Sequence, residues 1–137
     1  MTCIFCRIAS AEIPAEVVTQ DADALAFLDI TPLADGHTVV IPRRHVATLE
    51  EMPPAEIEAL FRMVAHLSGP VRRAVGAAGS TVGVNNGAAT GQTIPHVHVH
   101  IVPRWVDDGA GSVHTIFRAG SRRPVAEVGK EIRKALA

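Results

Sequence analysis

The sequence has no surplus of charge of either sign. Lys and Arg total 13 against 14 Asp and Glu, a formal net charge of −1. A chain that grips nucleic acid is usually far more basic, so nucleic acid is not the expected partner. Nor is there an apolar run near the roughly 20 residues that cross a bilayer. The opening residues, Met1-Thr2-Cys3-Ile4-Phe5-Cys6-Arg7, lack the apolar stretch of a secretory signal, so the cytoplasm is the expected compartment. Cysteine is scarce: there are two, spaced Cys3-x-x-Cys6. In a reducing compartment that pair fits a metal or redox site rather than a structural disulfide. Internal repeats, low-complexity stretches and domain linkers are also missing, so residues 1–137 are expected to form a single domain.

What is present reads as α+β. Residues 4–9 suit one or two helical turns, and Ile13-Pro14 marks a bend, because the residue before proline disfavours helix. Residues 17–20 and 24–28 read as a strand hairpin around the turn Asp21-Ala22-Asp23. His37-Thr38-Val39-Val40-Ile41 is a β-branched strand stopped by Pro42. After Pro53-Pro54, the apolar residues Ile57, Leu60, Phe61, Val64, Leu67, Val71 and Val75 recur at helical spacing. Gly69-Pro70 is expected to kink or split that helix. Further strands are expected at 81–84, 96–102 (stopped by Pro103) and 113–117, and a terminal helix at 124–136. Together these predict about five strands with helices segregated from them.

The chemistry concentrates in His96-Val97-His98-Val99-His100. Side chains alternate along a strand, so the three histidines share one face, with Val97, Val99 and Ile101 on the other. Three imidazoles in a row can hold a metal or simply line a surface. They can also divide the work of phosphoryl chemistry: one attacks phosphorus while a neighbour holds the oxygens where charge develops. The small-residue loop just upstream, residues 85–92, can offer backbone N–H groups to the same phosphate.

At these residues the chain resembles the histidine triad (HIT) family. The resemblance also rests on Ile4-Phe5-Cys6-Arg7-Ile8, Glu12-Ile13-Pro14, Ala26-Phe27-Leu28-Asp29-Ile30, residues 36–45, and Asn85-Asn86-Gly87 through Gly91-Gln92-Thr93, in the same order, and spans roughly residues 3–104. It implies a HIT-like half-barrel: an antiparallel sheet of about five strands with one long helix, a short N-terminal helix and a C-terminal helix, paired as a homodimer. It implies that His98 attacks the α-phosphorus to form a nucleotidyl-histidine, that His100 contacts the phosphate, and that the backbone of His96 orients the nucleophile. His37 would complete the catalytic set. Asp29 would accept from the ribose hydroxyls, and the base would pack among Ile4, Phe5, Ile8, Phe27 and Ile30, although Ile4, Ile8 and Phe27 suit plain core equally well. Asn85, Gly91, Gln92 and Thr93 match positions near the phosphates or leaving group; Asn85 also suits a turn.

The branch resembled is a bacterial zinc-containing one, similar to the protein kinase C inhibitor-like members. That likeness implies one structural zinc per chain on Cys3, Cys6, His45 and His96, leaving His98 and His100 for catalysis. His66 and His114 read as ordinary surface or packing histidines, and Arg43 and Arg44 as solvated charges. Trp105 suits either the leaving-group side or a dimer seam. The function implied is a nucleotide phosphoramidase-like hydrolase acting on a purine (AMP-type) nucleotide. The ending Pro103-Arg104-Trp105 also resembles dinucleoside polyphosphate hydrolases or phosphorylases. A zinc-stabilised nucleotide-binding module with little turnover is the non-enzymatic alternative.

Overall fold

The computed structural model describes residues 3–137. The helices are α1 (Ile4–Ala9), α2 (Pro54–Ala74) and α3 (Val125–Leu136). The strands are β1 (Val17–Gln20), β2 (Ala24–Leu28), β3 (Thr38–Pro42), β4 (Gly79–Gly83) and β5 (Val99–Arg104). The strands form one sheet in the order β1-β2-β3-β5-β4, and every neighbouring pair is antiparallel. No helix among the described residues is long and apolar enough to cross a membrane.

Alternation along the central strands builds two cores. Ala24, Ala26, Val40, Val97, Val99 and Ile101 face α2 and bury its stripe of Leu60, Met63, Val64, Leu67 and Val71. The alternate residues Leu25, Phe27, Val39 and Ile41 point to the opposite side and meet Phe5 of α1. The small alanines of β2 therefore lie under the long helix, and its large residues lie under the short one. α1 covers only part of the second face, and the histidine row occupies what it leaves open.

Four expectations change on folding. The long helix is not split: it runs unbroken through Pro70. Gly69 has no Cβ to clash with the proline ring, and Leu67 and Val71 on either side are buried, which holds the helix on the sheet. β5 is ordered as a strand from Val99, not from residue 96, because the His96 N–H bonds to Ile94 O and the Val97 N–H to Val46 O instead of a strand ladder. The strand also continues past Pro103. β3 pairs with β5 only at residues 99–101, so the proline stands where that neighbour makes no ladder bond. Residues 113–116 form a 3₁₀ turn rather than a strand, with Val113, Ile116 and Phe117 all exposed.

Candidate active site and metal centre

The segment 96–100 crosses the second sheet face. His96 and His98 are buried, and His100 is half-buried. The Phe5 ring edges onto both buried imidazoles, with centroids 5.9 Å from His96 and 5.0 Å from His98. His98 and His100 lie 5.0 Å apart, centroid to centroid. The alternation read from the sequence survives the irregular start of the strand.

Backbone groups fix the state of each ring. A carbonyl can only accept, so the 2.7 Å contact between His98 Nδ1 and His96 O puts the His98 proton on Nδ1. The Nε2 lone pair of His98 is then free, as a nucleophile requires. By the same logic, His96 Nε2–H donates to Pro42 O at 2.8 Å, which turns the His96 Nδ1 lone pair outward. The Leu33 N–H donates to His37 Nδ1 at 3.1 Å, so His37 carries its proton on Nε2 and donates it to His100 Nδ1 at 2.8 Å. His100 must therefore carry its own proton on Nε2, available to a phosphate oxygen. The three rings thus present different groups: a lone pair on Nδ1 at His96, a lone pair on Nε2 at His98 and an N–H on Nε2 at His100.

Burial keeps the donor pair neutral. Burial, then the neighbouring imidazoles of His98 and His37, lower His100 from 6.5 to about 4. Burial also lowers His37, against the opposing pull of Asp29. Asp29 Oδ2 sits 3.7 Å from His37 Nε2, while Oδ1 accepts from the Thr31 N–H at 2.9 Å and its hydroxyl at 3.2 Å. Asp29, His37 and His100 converge closely enough to suggest a second metal group. The 2.8 Å His37–His100 spacing is, however, a direct hydrogen bond, shorter than two nitrogens sharing one ion adopt.

At the other end, Cys3, Cys6, His45 and His96 bring one donor atom each within 4.8 Å of one another. Cys3 Sγ and Cys6 Sγ lie 3.5 and 3.6 Å from His96 Nδ1, and Cys6 Sγ lies 3.3 Å from His45 Nδ1. Tetrahedral zinc, with bonds of about 2.3 Å to sulfur and about 2.0 Å to nitrogen, sets sulfur and nitrogen ligands roughly 3.5 Å apart. The donor set and its spacing fit that ion. Pro42 O supplies the outer hydrogen bond that orients a ligand histidine. Burial, then the adjacent Cys3, push the Cys6 thiol above its ordinary value, which is the strain a divalent cation relieves.

The residues expected around the nucleotide separate. Phe5 and Phe27 are core, with ring centroids 5.6 Å apart, and Ile8 is partly buried against them. Ile4 is 42% exposed and Ile30 89%, so neither is plain core. Gln92 ties down its loop: it accepts from the Gly87 N–H and donates to Ala47 O and Ile94 O. Gly91 takes φ +93, a left-handed conformation that glycine tolerates. Asn85 and Thr93 are exposed and make no side-chain hydrogen bond among the described residues. Neighbouring Asn86 is the structural one, accepting from the Leu49 N–H and donating to Glu50.

Arg43 and Arg44 are not free solvated charges. Arg43 binds Asp21 O, Ala9 O and Gln20, and Arg44 pairs with Glu56. Exposed His66 and His114 stand apart from both clusters. Sequence reasoning missed Leu33 and Pro42 because their contributions are an amide and a carbonyl, which no residue type announces. It also missed the fork from Arg104 to Asp108, at 2.6 and 3.0 Å. That pair stands at i,i+4, the one signal that was there to be read.

Comparison with known proteins agrees with this geometry. The HIT domain model matches residues 10–106. An adenylylsulfatase of Arabidopsis thaliana is 42% identical over 102 residues, covering 74% of this chain and 52% of that protein. The crystal structure of a HIT family member from Bacillus subtilis superposes with a TM-score of 0.88 at 32% identity, covering all of this chain and 99% of that one. A zinc-bound histidine triad family protein from Mycobacterium smegmatis superposes with a TM-score of 0.77 at 34% identity, covering 99% and 94%.

Proposed function

The chain belongs to the histidine triad (HIT) family, a family of nucleotide hydrolase-type proteins, and on that premise we propose that it is a nucleotide phosphoramidase. The observation that carries this reading is the free Nε2 of His98, set by the Nδ1–H bond to the His96 carbonyl. His98 Nε2 attacks the α-phosphorus of an AMP-type purine nucleotide. His100 Nε2–H donates to a phosphoryl oxygen as charge builds there, and His37 holds His100 in that tautomer. Water then releases the nucleoside monophosphate and restores His98. Asp29 receives the ribose through its Oδ2 side, with the base over Ile4, Ile8 and exposed Ile30. Gly91, Gln92 and Thr93, with Asn85, border the phosphates.

Zinc belongs to the same reading, held by Cys3, Cys6, His45 and His96, where its positive charge keeps both thiols ionised. The zinc-bound mycobacterial relative supports it. His96 then has no free nitrogen for catalysis, so its part in the reaction is its carbonyl. A homodimer is also part of the reading: β4 is an open sheet edge, with Val82 44% exposed.

The Arabidopsis relative supports a second reading, hydrolysis of adenylyl sulfate by the same histidine. Purified protein and His98→Ala are to be assayed with adenosine 5′-phosphoramidate, adenylyl sulfate and diadenosine tetraphosphate. The phosphoramidate is expected to be the best substrate, with turnover lost in the variant. Rates indifferent to His98→Ala refute the mechanism. AMP binding without turnover of any substrate leaves a binding module instead.

A further inference from the structure

The chain has two cysteines, and they stand three residues apart. Cys3 caps α1 and Cys6 lies in its first turn. Their sulfurs converge with His45 and His96, so that the four donor atoms lie within 4.8 Å of one another. Two sulfurs bond at about 2.0 Å, so this pair needs at most about 3 Å of movement to join. Both thiols are only partly buried and His45 is exposed, so small solutes reach the cluster from water.

The helix that carries them is lightly held. Phe5 is its one buried residue, with Ile8 and Ala9 partly buried beside it. Arg43 donates to Ala9 O at 3.0 Å, while the Arg7–Glu12 pair stays within the local segment. Joining Cys3 and Cys6 to His45 and His96 therefore supplies a large share of the attachment of α1 to the sheet. That attachment reaches the triad by two routes. Phe5, between the cysteines, meets the His96 and His98 rings at 5.9 and 5.0 Å. His96, with its ring in the cluster, accepts the His98 Nδ1–H at its carbonyl, at 2.7 Å. Whatever loosens the cluster loosens two contacts of His98.

We propose that Cys3 and Cys6 form a peroxide-sensitive latch, in which oxidation to a disulfide ejects zinc and releases α1 from the sheet. The inference rests on the four-ligand zinc reading. Zinc holds both sulfurs as thiolates, the form that peroxide oxidises. One thiolate attacks hydrogen peroxide: an S–O bond forms, the O–O bond breaks and hydroxide leaves. The other thiolate attacks the sulfenic sulfur: the S–S bond forms, the S–O bond breaks and a second hydroxide leaves. Two protons from solvent turn both hydroxides into water, and two electrons have passed from the sulfur pair to peroxide. The neutral disulfide is no longer a thiolate ligand, and His45 and His96 alone leave a tetrahedral ion two ligands short. A dithiol returns the electrons by thiol–disulfide exchange, and the restored thiolates take zinc back.

The test adds hydrogen peroxide to the zinc-loaded protein. Released zinc is read with a chromogenic chelator, free thiols by titration, and the hold on α1 by amide hydrogen exchange with mass spectrometry. Both thiols should be lost as one zinc per chain is released, giving a monomeric product lighter than the reduced apoprotein by two hydrogens. Exchange in residues 3–10 should rise several-fold, while the buried strand residues 25–27 and 39–41 keep their protection. Dithiothreitol with added zinc should restore metal, thiols and protection together. Zinc retained under peroxide would overturn the latch. So would zinc released only with an irreversible gain of oxygen, a disulfide formed between chains, or unchanged exchange in residues 3–10 after release. Protein that carries no zinc as purified and takes none up refutes the four-ligand reading itself. Protein that holds zinc but does not yield it to peroxide loses the latch alone.

Discussion

Two clusters stand at opposite ends of one five-residue segment, and they use the same side chain in opposite ways. At the His96 end the ring proton is parked on Nε2 against Pro42 O, and Nδ1 meets two sulfurs. At the His98 end the proton is on Nδ1 against His96 O, and Nε2 is free. Neither choice follows from histidine itself. Each follows from which carbonyl lies within reach, so the backbone decides which nitrogen each imidazole leaves free. The environments differ as well. Soft sulfur donors surround the first ring, whereas the second borders a neutral His37–His100 pair beside a carboxylate.

The comparison breaks most sharply at His98. His98→Ala should cut turnover by about a thousandfold or more while zinc content, measured by elemental analysis, stays at one per chain. A variant that loses zinc in parallel would show that the two ends are not separable. Cys3→Ser breaks the other end. It should abolish zinc retention and lower Tm by roughly 10 °C, at about 3–5 °C per kcal/mol for a chain this size. Zinc bound as tightly as in the wild type would sink the four-ligand assignment.

His37→Ala sharpens the distinction by leaving His98 and the Cys3, Cys6, His45 and His96 cluster intact. Loss of the donor to His100 should reduce turnover roughly 10–100-fold without altering zinc content. Full activity would remove His37 from the mechanism.

The smallest expected effect is on acid stability. His100 is lowered from 6.5 to about 4, so below pH 6.5 the unfolded chain takes up a proton that the folded chain refuses. Its contribution to stability is therefore complete above pH 6.5 and lost as pH falls toward about 4. Urea unfolding of the protein and of His100→Gln across that range should show a shallower acid slope in the variant. Identical slopes would mean that His100 does not carry the effect.

How much of this was legible depended on whether side chains or backbone carried the message. The five strands, three helices and histidine alternation were readable, because hydrophobic periodicity and β-branching are side-chain properties, and the two faces of β2 and β3 obey them. The unbroken helix at Pro70 was not, because tertiary burial of Leu67 and Val71 outweighed a local breaker. Residues 113–117 have strand-like composition but no neighbouring strand to pair with, and they settle into a single 3₁₀ turn. Within the site, the four zinc-type donors and the histidines were visible as residue types. The protons that divide their labour were not, since Pro42 O, His96 O and the Leu33 N–H could have come from any residue.

Gly83, the last residue of β4, stands directly opposite His100 of β5. A Cβ there would meet nothing within 4 Å, so the strand can accept a side chain without strain. Any side chain added would stand beside His100, because directly paired residues share a sheet face. Position 83 is thus a vacant place next to the His37–His100 pair, and graded substitution from alanine to valine fills it one methyl at a time without replacing any group that sets the tautomers.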